Sequence, residues 1–163
     1  SVEDLEAFYE KSIEAYQKIF SRCGLTTLVV EAPGGFISKD YSHEFMVKSK
    51  AGEDLTIFCE SCTFAQNKEI TEKKKGDECP ECKKPLNDAK TVEAGNIFKL
   101  GTKYSEDMKA LYADEEGQKK PMIMGCYGIG PGRVLGTIVE AFHDELGNNG
   151  SWALIWTKCI KRP

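Results

Sequence analysis

No run of apolar residues in this chain approaches the length of a membrane span, so no transmembrane segment is expected. No secretion signal is expected in the stretch given, because its first residues read as a polar helix led by acids. Charge of one sign is also lacking: 22 Lys and Arg stand against 26 Asp and Glu, a formal net of −4. That balance argues against a dedicated polyanion binder, and no DNA partner is expected, while a local basic surface stays open. There is no disulfide framework, since four of the seven cysteines fall into two C-x-x-C pairs. Such pairs favour a metal in a reducing compartment, and cytoplasm is the expected location. Nor is there a dinucleotide fingerprint: G-x-G-x-x-G beginning at Gly128 needs glycine at 133 and finds arginine.

What is present suffices for one core. With 163 residues, 40% of them hydrophobic, the chain fits one medium domain or one domain carrying a small insert. It is organised around residues 122–142. Met122 to Tyr127 is an apolar run short enough for a buried strand, and Gly128, Gly130 and Gly132 then permit a sharp turn. Pro131 suits a first helical position, and Leu135, Ile138, Val139 and Phe142 recur at helical spacing. The pattern is strand, tight turn, helix. Arg133 falls in the first helical turn, where a cation opposes the helix dipole. The placement makes sense if an anion shares that end; otherwise Arg133 is a solvated surface charge.

Upstream, Leu5, Phe8, Tyr9, Ile13, Tyr16, Ile19 and Phe20 form the apolar stripe of a helix that Gly24 stops. Helices are expected near 3–21 and 131–145, and strands near 25–32, 44–49, 55–58, 91–100 and 122–128. The fold class is α+β: a mostly antiparallel sheet with helices over one face and an exposed edge. Gly101 to Ser105 reads as a polar turn, with a short helix or irregular piece from Glu106 to Tyr112.

Cys59-x-x-Cys62 and Cys79-x-x-Cys82 are separated by sixteen residues, the spacing of a zinc ribbon. Four thiolates would close a tetrahedral structural Zn²⁺ site, and the polar residues between the pairs would depend on it for folding. The Lys73-Lys74-Lys75 run faces a near-equal number of acids, so a solvated face is favoured over RNA contact.

Taken together, Gly125-Cys126-Tyr127-Gly128-Ile129-Gly130 and Arg133 resemble the third signature motif of class II aminoacyl-tRNA synthetases in their prolyl form. Gly95-Asn96-Ile97-Phe98-Lys99-Leu100-Gly101-Thr102-Lys103-Tyr104-Ser105 resembles the segment preceding it in bacterial-type prolyl enzymes. Ser42-His43-Glu44-Phe45 and Gly52-Glu53-Asp54 fit the same family in the same order, over residues 3–147 in all. One departure stands out: a glycine pair expected before Ser42 is replaced by Ser38 and Lys39, with Gly34 and Gly35 lying earlier.

The resemblance implies a partial synthetase catalytic core: residues 1–58 as its first part, 59–90 as a zinc-ribbon-like insert, 91–147 as its second part, and 148–163 as a tail of uncertain status. It implies ligation of proline to its tRNA through an ATP-derived prolyl-adenylate, with Mg²⁺ accompanying ATP, and a homodimer in the full-length enzyme. Arg133 would hold the γ-phosphate side of ATP as the catalytic cation, and Gly128, Gly130 and Thr102 would border the nucleotide. Cys126, His43 and Ser105 would line the substrate. Cys126 reads equally as a buried structural cysteine, His43 as a satisfied structural histidine, and the two hydroxyls as turn caps. No editing activity is expected of so short an insert. The first and second signature motifs have no counterpart, so the chain alone is expected not to form prolyl-adenylate. Two other functions fit part of the pattern: a stand-alone zinc-ribbon RNA-binding module, and a non-catalytic synthetase paralogue.

Overall fold

The computed structural model describes residues 1–143. The expected tail at 148–163 lies outside the described residues, and the helix expected to reach 145 ends at Phe142, where His143 turns extended as its C-cap.

Helix α1 (Val2–Arg22) begins with a capping box: the Ser1 hydroxyl accepts the Asp4 N–H at 3.2 Å while the Asp4 carboxylate takes the terminal ammonium at 2.9 Å. It stops at Gly24, whose φ of +79° is a left-handed turn that glycine adopts without strain. The Leu25 N–H then bonds back to the Phe20 carbonyl at 2.9 Å. The stripe read from the sequence is the buried one: Tyr9, Tyr16 and Phe20 pack on Phe45, Val47, Ala94 and Ile97, joined by Ile138 of α3 (Pro131–Phe142).

Five strands follow one another round a closed circuit. These are β1 (Thr27–Ala32), β2 (Ser42–Lys48), β3 (Asp54–Phe58), β4 (Ala65–Asn67) and β5 (Asn87–Gly101). β1 pairs β2, β2 pairs β5, β5 pairs β3, β3 pairs β4, and β4 returns to β1. This corrects the mostly antiparallel sheet expected from the sequence: the sheet is mixed. The reason is parity. Strand directions cannot alternate without a break around five members, so one neighbouring pair must be parallel, and that pair is β1–β4, through Glu31 and Gln66. The three-residue β4 lies inside the cysteine-bearing insert and carries no strand signal of its own. Val30, Met46, Phe58 and Ala65 fill the interior of the circuit, with Leu28 and Ala89 against them.

β5 is long enough to serve three partners. Its first half pairs β3 and its second half pairs β8 (Met124–Ile129) along the same edge, while β2 takes the other. The segment expected to be a turn at 101–105 instead enters a short helix α2 (Lys103–Asp107). The piece read as helical or irregular at 106–112 ends in a strand, β6 (Leu111–Ala113), of a small hairpin with β7 (Lys119–Pro121). The turn between them is closed by the Asp114 N–H on the Gln118 carbonyl at 2.9 Å. Among the described residues β8 pairs only β5, which leaves its outer edge without a ladder partner.

Candidate functional site

The site starts from a register slip in β5. Phe45 of β2 stands opposite Gly95, yet the next residue, Met46, stands opposite Glu93. Ala94 is buried beneath α1, and a Cβ added to Gly95 would meet Phe20 at 3.1 Å and Tyr16 at 3.4 Å, so both consecutive residues face α1. Such a bulge re-aims its neighbours. Glu93 and Asn96 are turned together onto the opposite face, where the Asn96 amide donates to Glu93 Oε1 at 2.6 Å. Gly95 also lies beside the Gly128 carbonyl, 2.9 Å from where a Cβ would sit.

β8 brings the glycine-rich turn to the same place. Gly128 stands opposite Asn96 and Ile129 opposite Gly95. Gly130 caps α3 in an extended conformation, and Pro131 opens the helix, as the sequence pattern requires. Arg133 follows at the third helical position, and its Nη1 donates to Glu93 Oε2 at 3.3 Å. Glu93 therefore holds both the Asn96 amide and the Arg133 guanidinium. Glu93 and Arg133, with Ala51, Glu53, Asp54 and Val92, line a concavity of about 150 Å³. A complete small-molecule pocket is about 300–1,000 Å³, so the space suits a phosphoryl group more than a whole nucleotide.

Glu44 sits one strand over, in the row Glu44, Asn96, Gly128. Burial, and then the charge of Glu93, push its carboxyl up to about 7 from an ordinary 4.5. The folded state thus binds this proton more tightly than the unfolded chain. Its contribution to stability is full below about pH 4.5 and is lost as pH rises through about 7. Glu44→Gln removes that loss. Each pKa unit is worth about 1.4 kcal/mol, and solvent access to this half-buried group reduces the sum to on the order of 1–2 kcal/mol. Urea melts should show the variant more stable than the parent by that amount at pH 8 and nearly equal to it at pH 4.

The remaining candidates fall elsewhere. His43 faces α1: its Nδ1 is 2.9 Å from the Tyr9 hydroxyl, which donates in turn to the Ile97 carbonyl at 3.1 Å. With its only proton so used, Tyr9 accepts from His43 Nδ1–H, and burial keeps the imidazole neutral by lowering its pKa. Cys126 alternates with Tyr127, whose ring packs on Phe8 of α1 at 5.2 Å, so Cys126 points to the face that carries Gly128 and Asn96. His43 and Cys126 therefore do not share a pocket. Thr102 and Ser105 lie at the far end of β5, about 30 Å of strand from Glu93. The Thr102 hydroxyl donates to Glu106 at 2.6 Å, and the buried Ser105 hydroxyl is 2.5 Å from the Met122 carbonyl. Arg133, Gly128, Gly130 and Cys126 come together with Asn96 and Glu44, which lie in the motifs quoted above but were not expected in the site, and with Glu93, which the sequence did not single out. Gly95 inside a strand was the available signal for the bulge that gathers them.

The cysteines do converge. The four Sγ atoms lie within 4.8 Å of one another, with Cys59–Cys82 at 3.4 Å and Cys62–Cys79 at 3.6 Å. Tetrahedral Zn–S bonds of about 2.3 Å set sulfurs about 3.8 Å apart, so the donor set fits zinc. Each pair rides a tight turn: the Cys59 N–H bonds the Phe64 carbonyl at 2.9 Å, and the Cys79 N–H bonds that of Lys84 at 2.8 Å. The Ser61 N–H points at Cys59 Sγ from 3.3 Å and lowers that thiol's pKa. Ile57 and Leu86 bury the cluster's inner side.

The model of the class II tRNA synthetase core domain (G, H, P, S and T) matches residues 1–142. The chain belongs to this family. A proline–tRNA ligase of Sulfurimonas denitrificans is 39% identical over 97% of the chain, which spans 39% of that relative. A probable mitochondrial proline–tRNA ligase of Rattus norvegicus is 37% identical over 89% of the chain and is covered over 30% of its own length. The proline–tRNA ligase of Fervidobacterium nodosum reaches 62% identity over 45% of the chain. The chain therefore spans about two fifths or less of these relatives. No helix among the described residues is long and apolar enough to cross a membrane.

Proposed function

We propose that the chain supplies the third-motif half of a prolyl-tRNA synthetase active site: residues 1–58 and 91–147 as core, and 59–90 as a zinc-bearing insert. The observation that carries this is Arg133, set at the start of α3 and lining one concavity with Glu93, whose carboxylate the Asn96 amide holds. Activation of an amino acid needs its carboxylate in line with the α-phosphate and cations against the developing phosphate charge. The Arg133 fork would take the terminal phosphates of ATP, releasing Glu93 from its present ion pair. Glu93 and Asn96 offer the hard oxygens that a Mg²⁺ arriving with ATP prefers. Gly128 and Gly130 keep the turn bare for close approach of the nucleotide, and Cys126 would form part of the wall on the proline side. Thr102, Ser105 and His43, which lie away from this concavity, would serve the fold through α2 and the Tyr9 bond. Zinc on Cys59, Cys62, Cys79 and Cys82 would act as a structural clasp. The partners would be ATP, proline and tRNA(Pro), with dimerisation a property of the full-length enzyme and the cytoplasm its place of work.

The concavity on this chain is too small to enclose ATP, so the isolated chain should give no proline-dependent ATP–pyrophosphate exchange above a no-enzyme control. Residues 1–142 exchanged for the matching stretch of the Sulfurimonas denitrificans ligase should retain that exchange within about tenfold of the parent. A well-folded chimera with no exchange would defeat the proposal.

A further inference from the structure

A second concavity, of about 560 Å³, opens on the other side of the β2–β3 turn and is lined by Lys48, Ser49, Lys50, Ala89 and Lys90. Three cations thus surround one depression in a protein whose formal net charge is −4. Their positions are fixed by backbone. The Ser49 N–H bonds the Lys90 carbonyl at 3.1 Å, and Gly52 packs so closely that a Cβ there would lie 2.5 Å from the Thr91 backbone. Lys48 Nζ rests 3.6 Å above the centre of the buried Phe58 ring. Among the described residues no carboxylate lies within ion-pair distance of Lys48, Lys50 or Lys90. Of the acids nearby, Asp88 pairs with Lys75 at 3.5 Å and Glu140 accepts the Ser49 hydroxyl at 3.3 Å. Lysines held together without a direct ion-pair partner repel one another, a cost that an anion in the depression reduces.

We infer that Lys48, Lys50 and Lys90 form a docking surface for the phosphodiester backbone of RNA, next to the Arg133 concavity and separated from it by a single turn. Ala51, Glu53 and Asp54 line the Arg133 side while Lys48, Ser49 and Lys50 line this one, so a strand seated on the lysines runs past the mouth of the nucleotide site. The acids on the far side of the turn would keep its phosphates from sliding into the place kept for ATP. The choice of RNA over another phosphate-bearing ligand rests on the synthetase assignment proposed above.

The test is fluorescence anisotropy of a labelled tRNA(Pro) transcript with the full chain at several salt concentrations. The comparison is Lys48→Gln/Lys50→Gln/Lys90→Gln against a control, Lys11→Gln/Lys18→Gln on α1. Each phosphate contact contributes about 0.7–0.9 to the slope of log affinity against log salt, so the triple variant should lose about two from that slope and bind about tenfold or more weakly at low salt. The control should keep the parent's slope, and matched melting temperatures should show all three folded. Equal losses in both variants, or a parent that binds no RNA, would overturn the surface. Release of RNA by ATP at constant ionic strength, unaffected by Arg133→Ala, would assign the lysines to free nucleotide phosphates and overturn it too. If RNA fails to bind while ATP still depends on Arg133, only this surface falls; if neither binds, the synthetase assignment falls with it.

Discussion

Cys79→Ser unfolds the segment from Cys59 to Leu86 and leaves the core under α1 standing. This is the larger of two expected effects, because the insert has little else to hold it. Apart from Ala65 in the circuit's interior, its apolar contacts are Leu86 and Phe64, packed with Ile57 of β3 on the cysteines themselves, and Cys79 is fully buried. Zinc contributes about 10–16 kcal/mol to the folding of small modules built on it, so one ligand of four carries on the order of 3 kcal/mol or more. The protein should contain one zinc per chain by elemental analysis, and the variant less. Amide exchange gives the spatial pattern. The N–H groups of Cys59, Cys79 and Leu86, bonded at 2.8–2.9 Å to carbonyls of the same insert, should lose protection, while those of α1 keep theirs. The damage should extend to β4, the strand that closes the circuit between β1 and β3 from inside the insert. A metal-free chain with the parent's melting temperature and exchange pattern would remove the clasp from the proposal.

Much of this architecture could be read before any coordinates, and the parts that could not share a cause. Periodicity located α1, α3 and the strands at 27–32, 42–48, 54–58 and 124–129 within a few residues, because each buries one face along its length. Spacing located the four cysteines, since each pair needs only its own turn to face the other. The missing features were those that depend on two distant segments meeting. β4 has three residues and takes its strand geometry from its neighbours. The parallel pair follows from closing a circuit of five, a property of the whole ring that no window of sequence contains. Glu93 and Asn96 converge because a bulge places Ala94 and Gly95 on one face; strict alternation would have put Glu93 and Asn96 on opposite faces. Lys90 meets Lys48 and Lys50 across forty intervening positions, whereas the conspicuous run at 73–75 yields an ion pair to Asp88 and a backbone bond to Asp77. His43 stands in β2, one residue ahead of the strand expected at 44–49, and only its partner Tyr9 reveals which face it serves.

Arg133→Ala should leave the melting temperature almost unchanged and abolish the preference for ATP over AMP. The two halves of that expectation have the same origin. The ion pair to Glu93 at 3.3 Å is exposed over 55% of the arginine side chain. Pairs of that kind contribute about 0–1 kcal/mol to stability, so losing this one costs the fold little. Against a terminal phosphate the same guanidinium makes charge-assisted bonds of about 1.5–3 kcal/mol, or roughly 10–100-fold in affinity, and AMP offers no such phosphate. Calorimetric titration of ATP and AMP into parent and variant reads the ratio directly. Arg133→Lys should recover only part of it, since an ammonium lacks the planar fork. Glu93→Gln gives the opposite sign. Without Mg²⁺, Glu93 both occupies Arg133 and repels phosphate, so its neutralisation should raise the affinity for ATP while Arg133→Ala lowers it. Equal losses of ATP and AMP binding, or a variant that melts well below the parent, would mean that Arg133 serves the fold and not a triphosphate.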